Sequence, residues 1–495
     1  MDNTTKTTAE ELHDQWLNPG DIFSLLLLVG GDIVQKAIAQ LVGYEAQVAL
    51  CGRQIRIPIT PVAFSFGLVS YGFSSLLSVV GNTRLMPDTD CPSIAVNCSN
   101  GFSQETQSWV LGRLLRDHEA RFPIDRKSEA DKGRAESIRV DVFRLGPAAP
   151  PSLDFIWWLG WFTIPVQLTL AAVPWVLYRN WSIFMVVLAG NILTAVTCSL
   201  PQWSDEKWAG RKLEKRKVMC LTRGNGGSHI MVLVGERGSW DLESLARASP
   251  VARPETRWIS LTLAILWTCL LISVTGLQNH TWFLVGIGSL GMIQNVFAAG
   301  TRRSPEAFGF ALVPFERAPT IIGKRRTYED DDDAGVDLDK DLESLEDLEK
   351  WARKKPTNSV LADSKAQAVQ MPPWLRSMSG KDGTPQWLEA IEPQATSAAQ
   401  TGSKAKEAGY STTASDKTIY AVGVHGALIE LEKWMPTAGL AMVQIFFPSG
   451  LIYNDERIRD NVHKKFWKRA YATQTIRKMA EEKRHAEDCT NKAYI

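Results

Sequence analysis

The sequence predicts a mainly α fold, a polytopic transmembrane helical bundle. Two pairs of apolar segments and the distribution of basic residues carry that prediction. Residues 155–178 and 182–200 form one pair, and residues 258–276 and 281–298 form the other. At about 1.5 Å per residue, each run suits a helix crossing roughly 30 Å of hydrocarbon. The connectors, 179–181 and 277–280, are so short that both members of a pair must share one layer. The chain has 495 residues, a net charge of +1 and 45% hydrophobic residues, an ordinary average. That average hides an apolar first 300 positions and a charged last 200. The near-neutral balance offers nothing to a nucleic-acid partner.

The reading along the chain begins with residues 1–81, taken as one or two membrane helices. IFSLLLLVGGDIVQKAIAQLV (22–42) opens purely apolar and ends amphipathic, and PITPVAFSFGLVSYGFSSLLSVV (58–80) is long enough to span. The expected count is therefore five or six spans. Residues 82–154 read as a cytosolic loop, with a short amphipathic helix near 107–119 and a linker over 122–152. Residues 201–257 form a second cytosolic loop. In it, KVMCLTRGNGGSHIMVLVGERGSWDLESLARA (217–248) predicts a β-hairpin and a short helix, because two apolar runs flank Gly224, Asn225, Gly226 and Gly227. Residues 299–416, with the acidic run YEDDDDAGVDLDKDLESLEDLEK, read as mostly disordered, since little apolar surface offsets the entropy of ordering them. Order is expected to return at 417–453, followed by a basic amphipathic helix toward the C-terminus.

Orientation follows from Lys and Arg near the spans. Loop 201–257 holds eleven and loop 82–154 holds ten, whereas turn 179–181 has one and turn 277–280 none. Both large loops and the C-terminal region are therefore expected in the cytosol, in a plasma membrane or endomembrane. Trp157, Trp158, Trp161, Trp175, Trp181, Trp203, Trp258 and Trp282 fall at or near predicted helix ends, as an interfacial belt requires.

Candidate polar sites are few. Asp32 and Lys36 stand four apart on one helix and can pair; the same pair could mark a pathway or simply neutralise itself. Asn191, Gln294 and Asn295 lie inside predicted spans, where amides line polar cavities or, more commonly, bond helix to helix. GNGGSHIM invites a phosphate-loop reading but lacks the Gly-Lys-Ser/Thr ending, and its glycines fall between strands. The seven histidines and seven cysteines never approach metal-ligand spacing, so no metal, cofactor or catalytic residue is expected. In the C-terminal helix, Lys464, Lys465, Lys468 and Arg469 surround Trp467, a pattern suited to an anionic leaflet or a partner groove.

The blocks GGDIVQKAIAQLVG, ITPVAFSFGLVSYGFSSLLSVVGNTRLMP, SWVLGRLLRD, LTRGNGGSHIMVLVGE and ELEKWMPTAGLAMVQIFFPSGL resemble fungal multi-pass membrane proteins labelled modin-like. The resemblance covers about residues 20–320 and 420–450. It implies a fungal integral membrane protein linked to signalling or to the control of growth and incompatibility responses. A proline-rich SH3-binding tail associated with that label is absent here, and no catalytic residues carry over. Two functions are expected: a membrane-anchored regulatory or scaffold protein recruiting cytosolic partners through its tail, or a transporter or channel for a small solute, ion or lipid.

Overall fold

A computed structural model describes residues 30–50, 53–81, 84–125, 135–251, 253–277, 279–314, 320–325 and 418–453, with parts of 463–475. The chain starts with helix α1 (Gly31–Leu41), a two-stranded hairpin of β1 (Tyr44–Leu50) and β2 (Arg53–Ile59), and helix α2 (Leu68–Val80). Strands β3 (Ile94–Asn97) and β4 (Ser103–Glu105), helix α3 (Trp109–Arg121) and strand β5 (Glu136–Leu145) precede the first apolar pair. That pair is α4 (Phe155–Tyr178) and α5 (Ser182–Cys198), with α5 bent by 43° into the short α6 (Pro201–Lys207). Strands β6 (Lys217–Thr222) and β7 (His229–Gly235), helix α7 (Leu242–Ala246) and the second apolar pair, α8 (Pro254–Thr275) and α9 (Thr281–Gly300), follow. A 3₁₀ turn (Pro305–Phe308), β8 (Leu312–Pro314) and β9 (Thr320–Lys324) come next, then β10 (Thr418–Val422), α10 (Gly423–Trp434) and α11 (Ala438–Phe446).

The expectation of a helical bundle with a small β insert does not hold. An eight-stranded mixed sheet is the organising element, with strand order β10-β9-β5-β7-β6-β3-β4 and β8 pairing with β5 off that path. Two of its pairs are parallel, β5 with β7 and β9 with β10. Among the described residues three helices, α4, α8 and α9, are long and apolar enough to cross a membrane, or four if bent α5–α6 counts as one. Residues 58–80 do not form one continuous span, and residues 22–29 of the expected first span lie outside the described residues. Nor do the apolar helices enclose one another, since only 33–44% of each apolar window is buried.

The sheet draws strands from every segment on one side of the apolar pairs. β3, β4 and β5 lie before α4; β6 and β7 lie between α6 and α8; β8, β9 and β10 follow α9. The supposed linker 122–152 thus carries β5, a central strand paired with β7, β8 and β9. Likewise, the stretch read as disordered from 299 carries ordered structure over 299–314 and 320–325, while 315–319 and 326–417 lie outside the described residues. Both faces of the sheet are covered, so its inner strands are apolar at odd and even positions alike. On β7, Ile230, Val232 and Val234 join a core under α10 and α11, while Met231 and Leu233 join the core that continues into α3 and the apolar helices. The hairpin expected at 217–235 and the short helix after Trp240 are both present, as β6–β7 and α7.

Charged side chains clamp the sheet region to the ends of the apolar helices. Asp154 caps α4 by accepting from Trp157 N at 3.1 Å, and Arg303 grips the same carboxylate through Nε at 2.5 Å and Nη2 at 2.9 Å. Buried Lys207 donates to the carbonyls of Gln40, in the last turn of α1, and of Val42 just beyond it, at 3.3 and 2.8 Å. Arg113 donates to Ala299 O at 2.7 Å and Arg116 to Gly300 O at 3.2 Å, placing cations on the negative end of α9.

Candidate functional site: a seat for extended backbone

Between β2 and α2 the chain runs as neither helix nor strand through residues 60–65, TPVAFS, and turns at Phe66 and Gly67, packed among the apolar helices. The segment read as a continuous span over 58–80 is thus a strand end, a non-helical stretch and a helix of 13 residues. Two features of the sequence explain the break. Pro58 and Pro61 remove backbone donors, and Gly67 adopts φ +91° to start α2, a conformation glycine reaches without strain. Val62, Ala63, Phe64, Ser65 and Phe66 are all buried. Non-helical backbone has no intrahelical partners, so each buried peptide group needs one from elsewhere.

Side-chain amides on the surrounding helices supply them. Gln294 Oε1 accepts from Ala63 N at 3.3 Å, and Asn191 Oδ1 accepts from Phe64 N at 3.3 Å. Gln167 Nε2 donates to Phe64 O at 2.7 Å and to Ile287 O at 3.0 Å. Asn295 Nδ2 donates to Ser65 Oγ at 2.7 Å and toward Ala63 O at 3.4 Å. Asn191 is itself held by donating Nδ2 to Val187 O at 3.0 Å. One amide each from α4 and α5 and two from α9 therefore converge on one non-helical segment.

Glycine lets the segment come this close. A Cβ at Gly160 or at Gly291 would lie 1.9 Å from Pro61 O or Phe64 O, and one at Gly190 or Gly288 would enter the Phe64 or Phe66 ring. Phe64 also stacks on Trp267 of α8, with centroids 6.5 Å apart and planes 7° apart. The seat is filled by protein atoms, and its polar groups act as structural hydrogen-bond partners. Three of its buried amide atoms, Gln167 Oε1, Gln294 Nε2 and Asn295 Oδ1, have no hydrogen bond among the described residues.

Of the residues singled out from sequence, Asn191, Gln294 and Asn295 meet here, bonding helix to non-helical backbone. Asp32 is exposed and Lys36 half-buried on α1, and neither reaches the seat. Lys464 and Lys468 are exposed, but Trp467 is buried and donates Nε1–H to His425 Nε2 at 2.6 Å, so this part of the basic helix packs on the chain itself. Lys465 and Arg469 lie outside the described residues. Gln167 escaped the sequence reading. Its signal is a lone amide in the middle of α4, opposite a segment expected to be a helix.

Among the described residues, a constellation resembling an acid–base pair lies in the sheet region. His118 Nε2 is 2.9 Å from Asp141 Oδ2, and Arg139 Nε donates to the same oxygen at 2.8 Å. Thr320 Oγ1 donates to Asp141 Oδ1 at 2.9 Å. Burial alone would raise the Asp141 carboxyl, but the His118 and Arg139 contacts outweigh it and hold the pKa down to about 2. Burial lowers the neighbouring His229, whose Nε2 lies 2.7 Å from Phe122 O. His118 and Asp141 are each about 4% exposed, and the Thr320 hydroxyl is already donating to the carboxylate. The network ties α3 to β5 and β9, and it presents no nucleophile to a substrate. Among the described residues no group of three metal-ligating side chains could hold an ion. Comparison with protein-family models, curated proteins and solved structures returns no match.

Two outcomes follow for variants. Gly291→Ala should destabilise the purified protein by ~1–3 kcal/mol or more through overpacking against Phe64 O. Gly286→Ala on the same helix, where a Cβ meets nothing within 4 Å, should be neutral or slightly stabilising in a thermal unfolding series. Equal losses at both positions would contradict the seat. For Asp141, a folded pKa of about 2 against an ordinary 3.8 means its stabilisation is full above about 3.8 and fades as pH falls through about 2. Asp141→Asn should therefore cost about 2 kcal/mol at pH 7, with the gap to wild type closing toward pH 2. Unfolding midpoints across that pH range check it.

Proposed function

We propose that this chain is a membrane-anchored platform, a regulatory or scaffold protein with its α/β region on one side of the bilayer. The observation that carries the reading is the outward face of the apolar helices. Phe162, Val176, Ile265, Ile272 and Ile293 are between 57% and 77% exposed there, far more apolar surface than water tolerates on a folded chain. Hydrocarbon is the environment that such a face fits.

Aromatic residues support the same placement. Trp158, Trp161 and Trp258 are exposed near one end of the apolar layer; Trp175, Tyr178, Trp181 and Trp282 are exposed near the other. Amphipathic rings favour the headgroup boundary, and α8, at 22 residues or about 33 Å, matches the layer between two such belts. The far turns lie together, with Tyr178 stacked on His280 at 4.2 Å. The excess of Lys and Arg in segments 82–154 and 201–257 favours the cytosol for the sheet side. An anchor with an apolar outer face and most of its ordered surface in one compartment suits the recruitment of cytosolic partners, with the acidic run near 329–349 as the recruiting segment. The likeness to modin-like fungal membrane proteins points the same way.

The three unpaired amide atoms in the seat favour a second reading, passage of a small polar solute beside the non-helical segment, as broken helices permit in transporters. A paired experiment separates the two. Partners are captured from solubilised native membranes with the full chain and with a variant lacking 330–412, a deletion that spares every described residue. The platform reading expects partners lost with the deletion and no flux of ions or polar solutes in vesicles reconstituted with the full chain. Identical partner lists together with protein-dependent flux would overturn it.

A further inference from the structure

We infer that Cys98 and Cys220 form an oxidisable dithiol that closes to a disulfide across the sheet. The two Sγ atoms lie 3.2 Å apart, although the residues are 122 positions apart in sequence. Their placement follows from strand register: β3 and β6 pair antiparallel with Val96 opposite Cys220, and Cys98 N donates to Val218 O at 3.1 Å. Both side chains therefore leave the same face of neighbouring strands. A disulfide needs about 2.05 Å between sulfurs, so closure asks for roughly 1 Å of movement, within the reach of side-chain torsions.

Within the described residues this pairing is particular to these two thiols. Cys91, the nearer cysteine in sequence to Cys98, packs with the opposite core, and Cys269 lies exposed on α8. Cys98 and Cys220 are each 1% exposed, covered by the core that α10 and α11 lay over the sheet. The thiol–thiol contact, then burial, push the Cys98 thiol upward, so Cys98 rests as a thiol under this cover. An oxidant reaches it when α10 and α11 lift. The cross-link then fixes the segment before α4 to the segment between the two apolar pairs.

The step balances with a peroxide as the oxidant. One thiol gives its sulfur two-electron oxidation to the sulfenic acid, releasing water. The second thiol attacks that sulfur, the S–S bond forms, and a second water leaves; one hydrogen peroxide is reduced to two waters in total.

The test treats the intact protein in membranes with graded hydrogen peroxide. Remaining thiols are alkylated, and peptides are mapped without reduction. The expected product is a single intramolecular cross-link joining the peptides that contain Cys98 and Cys220, reversed by dithiothreitol. Leu440→Asp, aimed at the cover, should raise its rate of formation at least tenfold; Cys98→Ser should leave Cys220 alkylatable. Full alkylation of both residues at peroxide doses that oxidise Cys269, or a dominant Cys91–Cys98 cross-link, would overturn the proposal. An unchanged rate in Leu440→Asp would overturn the role of the cover.

Discussion

Peptide groups cannot stay unpaired inside an apolar layer, and residues 60–67 enter one without forming a helix. Everything near them answers that constraint. Gln167, Asn191, Gln294 and Asn295 give the segment donors and acceptors that water would otherwise provide. Gly160, Gly190, Gly288 and Gly291 clear the space for it. An unmade buried hydrogen bond costs about 1–3 kcal/mol, so loss of a single amide is felt across three helices at once. The seat, together with buried apolar residues such as Ala171, Ile183, Val187, Leu284 and Ile287, fixes where α4, α5 and α9 stand relative to one another.

The second constraint is topological. Turns of a few residues at one end leave the long connections to meet at the other, and there they pair into one sheet. Strands from three separate segments alternate in it, so no segment completes the sheet alone. The clamps at its boundary, Arg303 on Asp154, Lys207 on the end of α1 and Arg113 on the end of α9, replace flexible linkers with hydrogen-bonded contacts.

The apolar pairs were legible because nothing competes with runs of about twenty apolar residues. The β6–β7 hairpin was legible because glycines punctuate two apolar strands. By contrast, β5 was hidden by its own charges: Glu136, Arg139, Asp141 and Arg144 make ESIRVDVFRL read as a solvated linker. In the fold, Asp141 is neutralised by His118 and Arg139, contacts that come from α3 and from two residues away. The non-helical stretch 60–67 was hidden for the opposite reason. Its composition is as apolar as a spanning helix, and only the later amides reveal that its backbone needs outside partners. Three of those amides were visible as polar residues in spans, but what they bond was not.

Site-directed labelling tests the central claim most directly, that the apolar helices cross a bilayer with the sheet on one side. Cysteines placed at Asn279, in the short exposed turn, and at Asn225, in the exposed β6–β7 turn, are probed with a membrane-impermeant maleimide on intact cells. Labelling is scored above that of the unsubstituted protein. The account predicts opposite behaviour, with one position labelled before permeabilisation and the other only after it. Equal labelling of both positions before permeabilisation would contradict the claim.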